Sequence, residues 1–120
     1  MKPLYNVDFV READGGYDCG IHLDPSHLVY QAHFPGEPIT PGVCILQMSV
    51  QILSRILDTP LRVERFKNVK FLQILVPGVA EDIVWRFRDI QREGDAVEAQ
   101  CVLTSGESVI AKLSVLCRKS

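Results

Sequence analysis

Residues 33–57 read HFPGEPITPGVCILQMSVQILSRIL, and this stretch decides the fold. From Leu28 to Pro41 the chain is rich in Pro and Gly, and because proline lacks a backbone donor, this part predicts a rigid surface loop. From Val43 to Leu57 it contains neither Gly nor Pro, which predicts a helix of about four turns. Apolar side chains occupy most of the circumference of that helix, so we expect it to be buried. Its polar exceptions are Gln47, Ser49, Gln51, Ser54 and Arg55.

Segments with the alternating pattern of half-buried strands flank this stretch. Upstream, Leu4–Val10 and Gly16–Leu23 predict a hairpin. The first of these segments alternates apolar residues at Tyr5, Val7 and Phe9 with polar ones. Downstream, turn sequences separate further strand-like runs, which are Leu61–Leu75, Asp82–Ile90, Ala96–Thr104 and Val109–Cys117. One long helix among antiparallel strands predicts an α+β fold whose sheet curls around the helix, with residues 1–120 as a single domain.

Composition argues against several classes of protein. A formal net charge of −2 leaves no excess of Lys and Arg for a nucleic-acid backbone. No apolar run has the length of a signal peptide or a membrane span, so we expect a cytoplasmic protein that does not bind membranes. The cysteines lack the spacing of a zinc site or a disulfide framework, so no metal is expected. Only Cys44, in the first turn of the predicted helix, is placed where a thiol pKa can be lowered.

The residues from His33 to Val43 resemble the HFPGxPxxPGV signature of FabZ-type 3-hydroxyacyl-carrier-protein dehydratases, and an ApeI-like branch is one option for this chain. The likeness extends upstream from Asp24-Pro25 to Gln31-Ala32 and downstream through Val69-Lys70-Phe71 to Val76-Pro77-Gly78. It implies the hot-dog fold, in which an antiparallel sheet wraps around one long central helix. It also implies a homodimer or a higher even oligomer whose sheets join edge to edge, with an acyl tunnel near the dimer interface.

The resemblance implies a lyase that dehydrates a 3-hydroxyacyl thioester to the trans-2-enoyl thioester in fatty-acid or related polyene biosynthesis. The reaction needs a base for the C2 proton, an acid for the C3 hydroxyl, and donors for the charge that develops on the thioester oxygen. His33 is then the catalytic imidazole, and the backbone N–H groups of Gly42 and Val43 bind the thioester carbonyl at the helix start. Phe34 and Pro41 are expected to contact the substrate. The expected partner is an acyl carrier protein bearing a phosphopantetheine thioester, and no cofactor is expected.

Gln47 departs from the family pattern, which places Glu or Asp at this helix position to assist the leaving hydroxyl from across the dimer. An amide cannot donate and recover a proton, so Gln47 is expected to orient the hydroxyl or a water while His33 shuttles the proton. A second interpretation stays open, namely an acyl-binding subunit of a heterodimer whose other subunit supplies the acid. A hot-dog thioesterase is a third, and the HFPG and PGV elements argue against it.

The remaining polar candidates have simpler interpretations. Glu37 falls at a variable position of the signature and is typical of a solvated loop charge, while His22 and His27 are expected at the surface or in a strand. Gln51 matches a family Gln one turn after position 47, where a structural hydrogen bond is expected. One predicted strand carries a basic strip that consists of Arg62, Arg65, Lys67 and Lys70. Such a strip could dock an acidic carrier protein, or be a solvated face of the strand.

Overall fold

The computed structural model of the chain describes residues 3–32 and 36–120. Within these residues the elements in chain order are β1 Tyr5–Ala13, β2 Gly16–Leu23, α1 Leu28–Ala32, α2 Gly42–Ile56, β3 Leu61–Phe71, β4 Ile83–Glu93, β5 Ala96–Ser105 and β6 Ser108–Lys119. The sequence predicts the strands and the long helix, although several bounds differ by a few residues. It does not predict α1.

The strands form one antiparallel sheet in the order β1-β2-β4-β5-β6-β3, so β1 and β3 are its edges. The helix α2 packs across one face of this sheet, which we call the inner face. Apolar side chains fill the space between them, the largest fully buried ones being Trp85, Phe87, Met48, Ile52, Leu53, Leu75 and Leu103. This is the hot-dog arrangement, so the predicted α+β fold class is confirmed.

The helix α2 is buried on one side only. Its buried residues are Ile45, Met48, Ser49, Ile52 and Leu53. The side toward solvent exposes Val43, Gln47, Gln51 and Arg55. The prediction of a helix buried all round is therefore wrong for the chain by itself, because the sheet covers only one side of the cylinder. Neither described helix is long and apolar enough to cross a membrane.

The short helix α1 replaces the first part of the predicted loop. The prolines of that stretch all come after α1, so nothing in Leu28–Ala32 prevents a helical turn. The N–H group of Val29 donates to Nδ1 of His27 at 3.1 Å at the start of this helix. Tyr30 is 3% exposed and attaches α1 to the core. The loop prediction is thus wrong between residues 28 and 32.

The first strand does not keep one apolar face. Tyr5 and Val7 lie opposite inner-face residues of β2, but the register shifts between Val7 and Phe9. Phe9 then lies opposite Gly20, and its ring occupies the space that a side chain at Gly20 would need. The predicted alternation is therefore wrong at Phe9, because the missing Cβ of Gly20 makes room for the ring on the outer face of the sheet.

Candidate functional site

The start of α2 presents free backbone donors. Pro41 precedes the helix in an extended conformation (φ −61°, ψ 144°), and no side chain caps the helix there. Its carbonyl accepts the N–H groups of Cys44 at 3.0 Å and Ile45 at 3.2 Å. The N–H groups of Gly42 and Val43 have no acceptor among residues 3–32 and 36–120. Because these donors stand at the positive end of the helix dipole, they can bind a carbonyl oxygen.

Phe71 forms a wall beside this helix start. A Cβ atom on Gly42 would come within 2.8 Å of the Phe71 ring, so a side chain there would displace the ring. Phe71 is 49% exposed, and its ring lies beside Gly42. Sequence patterns alone do not identify Phe71 as a site residue. The structure identifies it through its strand pairing. Phe71 is the last residue of β3 and pairs with Ala111, which is buried, so both side chains lie on the face of the sheet toward the helix.

Two hydrogen bonds fix the segment that leads into α2. The hydroxyl oxygens of Tyr30 and Thr40 are 2.8 Å apart in a buried contact. The Thr40 N–H donates to the Leu75 carbonyl at 2.9 Å. The chain on both sides of residues 33–35 is thus attached to the core.

Three residues of the signature lie outside the described ranges, namely His33, Phe34 and Pro35. The catalytic role of His33 and the substrate contact of Phe34 therefore stay predictions. What the structure describes is the chain around them, with α1 ending at Ala32 and Pro41 leading directly into α2.

Two grooves run along the exposed side of α2. The first, of about 660 Å³, lies against β1, and we call it the β1 groove; it is lined by Pro3, Leu4, Tyr5, Asn6, Val7, His27, Val29, Cys44, Gln47, Met48, Gln51 and Arg55. The second, of about 580 Å³, lies against β3, and we call it the β3 groove; it is lined by Gln47, Val50, Gln51, Ser54, Pro60, Leu61, Arg62, Val63 and Phe66. Gln47 and Gln51 line both grooves, so they form the ridge between them.

The two glutamines on this ridge differ in their partners. The Tyr5 hydroxyl donates to Oε1 of Gln51 at 2.9 Å, which confirms the structural hydrogen bond expected for Gln51. The Gln47 amide is exposed and has no hydrogen-bond partner among the described residues. A free amide at this place can orient a hydroxyl or a water that enters either groove. Its role in catalysis stays a prediction.

No Asp or Glu of the described ranges lines either groove. Glu37 is exposed and forms no ion pair with the residues that the structure describes, which agrees with a solvated loop charge. Neither groove therefore offers a carboxylate of the described residues beside Gln47, where the family pattern puts the acid.

Cys44 and His27 lie in the wall of the β1 groove. Burial raises the pKa of the Cys44 thiol, so the idea of a lowered pKa there is wrong and the thiol is protonated at neutral pH. His27 is half-buried and accepts the N–H group of Val29, so it is less exposed than expected. His22 is an exposed strand residue whose Nδ1 lies 2.7 Å from Oδ1 of Asp8.

The basic strip lies on the face of the sheet away from α2, although Arg62 is also among the residues that line the β3 groove. Its residues pair with β6 residues that alternate with the buried ones, so Arg62, Arg65, Lys67 and Lys70 share the outer face of the sheet. Lys67 lies 2.6 Å from Glu98, and the others form no ion pair within the described ranges. Docking of a carrier protein on this strip stays a prediction.

Comparison with known sequences places these features in a wider context. The model of the ApeI-like family, which is described as ApeI dehydratase, matches residues 10–107. The bifunctional enzyme LpxC/FabZ of Bacteroides thetaiotaomicron is 33% identical over an alignment of 85 positions, which covers 63% of this chain and 18% of that enzyme. The 3-hydroxyacyl-[acyl-carrier-protein] dehydratase FabZ of Levilactobacillus brevis is 26% identical over an alignment of 120 positions, which covers 89% of this chain and 77% of that one.

A solved structure shares the fold. It is the dehydratase heterocomplex ApeI:P from Xenorhabdus doucetiae, which superposes with a TM-score of 0.67 over 98% of this chain and 100% of that chain. The sequence identity is 20%, so the likeness concerns the fold alone.

Proposed function

This chain belongs to the ApeI-like dehydratase family, and we propose that it removes water from a 3-hydroxyacyl thioester on an acyl carrier protein to give the trans-2-enoyl thioester. Two relatives that are 26% and 25% identical to this chain are named 3-hydroxyacyl-[acyl-carrier-protein] dehydratase FabZ. The proposal rests on one observation above all. Gly42 and Val43, whose N–H groups are free, are the last two residues of the motif that starts at His33. The next residue, Cys44, is the first helix residue that lines the β1 groove.

In the proposed reaction His33 removes a proton from C2, and negative charge develops on the thioester oxygen as that bond breaks. The N–H groups of Gly42 and Val43 stabilise this charge, and one such donor is typically worth about 10² to 10³ in kcat. The bond between C3 and its hydroxyl oxygen then breaks, and the hydroxyl takes up the proton from His33 and leaves as water. Gln47 orients the hydroxyl or a bridging water and exchanges no proton.

The acyl chain is proposed to lie in the β3 groove. Its walls include Val50, Leu61, Val63 and Phe66 beside four polar residues. This groove borders the edge strand β3, where a second copy of the chain is proposed to pair. That position agrees with an acyl tunnel near a dimer interface. We propose a cytoplasmic homodimer as the working form.

A second function is favoured by the lack of an acid at the site. No carboxylate of the described residues lines either groove, and the ApeI:P structure with the same fold is a dehydratase heterocomplex. In this alternative the chain binds the acyl thioester as one subunit of a heterodimer, and its partner supplies the proton donor. General acid assistance is typically worth about 10² to 10⁴ in rate, so the difference is measurable.

The direct test is dehydration by the purified chain of a short 3-hydroxyacyl thioester on a carrier protein, followed by the absorbance of the enoyl thioester. We expect turnover that His33→Ala abolishes. His22→Ala is the matched control, because His22 is an exposed strand residue away from both grooves. Absent turnover with retained thioester binding supports the heterodimer alternative. Turnover that survives His33→Ala would remove the proposed site.

A further inference from the structure

The β1 groove follows α2 almost from end to end. Its helix residues are Cys44, Gln47, Met48, Gln51 and Arg55, which share one side of the helix. With a rise of about 1.5 Å per residue, the axial distance from Cys44 to Arg55 is roughly 16 Å. The groove thus runs from Cys44, the residue that follows the free N–H groups, to a guanidinium group in the last turn of the helix.

Arg55 is available to a ligand. Its side chain is exposed, and none of the ion pairs within residues 3–32 and 36–120 involves it. Burial raises the pKa of Tyr5 and of Cys19, and the charge of Arg55 opposes this effect in both. The guanidinium therefore lies near the Tyr5 side of the groove.

The arginine of each groove lies on a different element. Both grooves contain Gln47 and Gln51 among apolar side chains, and each has one arginine, Arg55 in the β1 groove and Arg62 in the β3 groove. Arg62 lies on β3, opposite Arg118 on the outer face of the sheet, whereas Arg55 lies on α2, the helix that carries the free N–H groups. A carrier-bound thioester has an apolar acyl chain on one side and, on the other, a pantetheine arm that ends in a phosphate. A groove that leads along α2 to Arg55 therefore suits the phosphate end of this arm.

We propose that Arg55 binds the phosphate of the phosphopantetheine arm, with the arm along the β1 groove and the thioester at the start of α2. This inference rests on the proposed function, which supplies the carrier-bound thioester. A guanidinium suits the task because its N–H groups form paired hydrogen bonds with phosphate oxygens. The last turn of α2 is the negative end of the helix dipole, so a phosphate is disfavoured there unless Arg55 offsets the repulsion.

The test compares two small probes that contain no carrier protein. They are the saturated acyl thioesters of phosphopantetheine and of pantetheine, which cannot be dehydrated and differ only in the phosphate. By calorimetry at low salt we expect the protein to bind the phosphorylated probe about tenfold more tightly, as suits hydrogen bonds to a charged group. Arg55→Ala should abolish this preference. Arg55→Lys should keep part of it, since lysine provides the charge without the paired donors.

Arg92→Ala is the matched control. Arg92 is another exposed arginine without an ion pair in the described ranges, it lies on β4, and it lines neither groove. This variant should keep the full phosphate preference. Raising the ionic strength from about 0.01 M to about 0.15 M should weaken the preference in the unmodified protein, because the guanidinium is exposed. The unfolding temperature of each variant is measured as well, to check that each one is folded.

The inference is overturned if Arg55→Ala keeps the preference, or if the unmodified protein has none. It is also overturned if Arg55 instead strengthens binding of an acyl chain that ends in a carboxylate. The two proposals can fail separately. If the protein prefers the phosphorylated probe but shows no dehydration, the Arg55 site stands and the dehydratase function is wrong. If it dehydrates its substrate but has no phosphate preference, the dehydratase function stands and the Arg55 site is wrong. A protein that binds neither probe contradicts both.

Discussion

Gln47 is the residue at which this chain departs most from the chemistry of its family. Gln47→Glu places a carboxylic acid on the ridge between the grooves, where the leaving hydroxyl is proposed to lie. We expect kcat to rise, by up to about 10² to 10⁴ if proton donation limits the reaction. The measurement is the initial rate of enoyl-thioester formation by the purified variant and by the unmodified chain.

Gln100→Glu is the control for this substitution. It adds the same charge at an exposed glutamine on β5 that lines neither groove. It should leave kcat close to its original value. An equal rise in both variants would indicate a general effect of charge, and no rise in either would show that a missing acid at position 47 does not limit turnover.

Individual residues of the site could be predicted from sequence where their local position decides their role. The free donors at Gly42 and Val43 follow from the helix start that Pro41 defines, and this holds whatever packs nearby. The Cys44 thiol could not be predicted in this way, because the burial that raises its pKa comes from distant segments. The role of Phe71 as a wall depends likewise on where β3 ends against α2.

At the scale of elements, the contact between the start of α2 and the end of β3 is tight enough to test. Gly42→Ala should lower the free energy of unfolding by at most about 1 kcal/mol, because the new Cβ would lie 2.8 Å from Cζ of Phe71, the tip of a half-exposed side chain that can move aside. Alanine is also the better helix former, which offsets part of this cost. In a Phe71→Ala background the same substitution should become neutral or stabilising. Urea unfolding of the four proteins measures the coupling, and additive effects would contradict the proposed contact.

Elements with a clear period are the ones that sequence predicts. The strands β4, β5 and β6 follow from alternating buried residues between turn sequences, and α2 follows from a long run without Gly or Pro. The helix α1 has only 5 residues, too few for a periodic signal, and tertiary contacts of Tyr30 stabilise it. The register shift before Phe9 depends on a glycine in the neighbouring strand, which a local pattern does not include.

At the scale of the whole molecule, buried thiols predict how stability depends on pH. Burial raises the pKa of Cys101 from 9.0 to about 12, and those of Cys19 and Cys117 to about 11. Above pH 9 the unfolded chain releases these protons while the folded chain retains them, so stability falls as pH rises. Below pH 9 both states keep the protons and the dependence disappears.

The slope provides the measurement for this pH dependence. Each retained proton contributes up to about 1.4 kcal/mol per pH unit to the loss of unfolding free energy. Urea unfolding between pH 8 and pH 10.5 under reducing conditions should show this decline, and Cys101→Val should reduce the slope by the share of one thiol. A free energy of unfolding that stays constant across this range would contradict the burial of these side chains.

The exposed edge of the molecule predicts how two copies associate. Strand β3 has one unpaired edge, and large apolar side chains are exposed along it and just after it: Val63 at 42%, Phe71 at 49%, Leu72 at 52% and Ile74 at 63%. Burial of such a patch stabilises a dimer, and an unpaired strand edge provides the backbone donors and acceptors for pairing. Light scattering should therefore give twice the chain mass of 13.5 kDa.

Charging this patch should separate the copies. The double variant Leu72→Lys with Ile74→Lys is expected to give the mass of a single chain and to lose dehydration, since in the family pattern residue 47 acts on the substrate from across the dimer. Leu28→Lys is the control, because Leu28 is 64% exposed but lies on α1, so that variant should stay dimeric and active. An unmodified protein that is monomeric and fully active would contradict both the interface and the assignment of residue 47 to the neighbouring site.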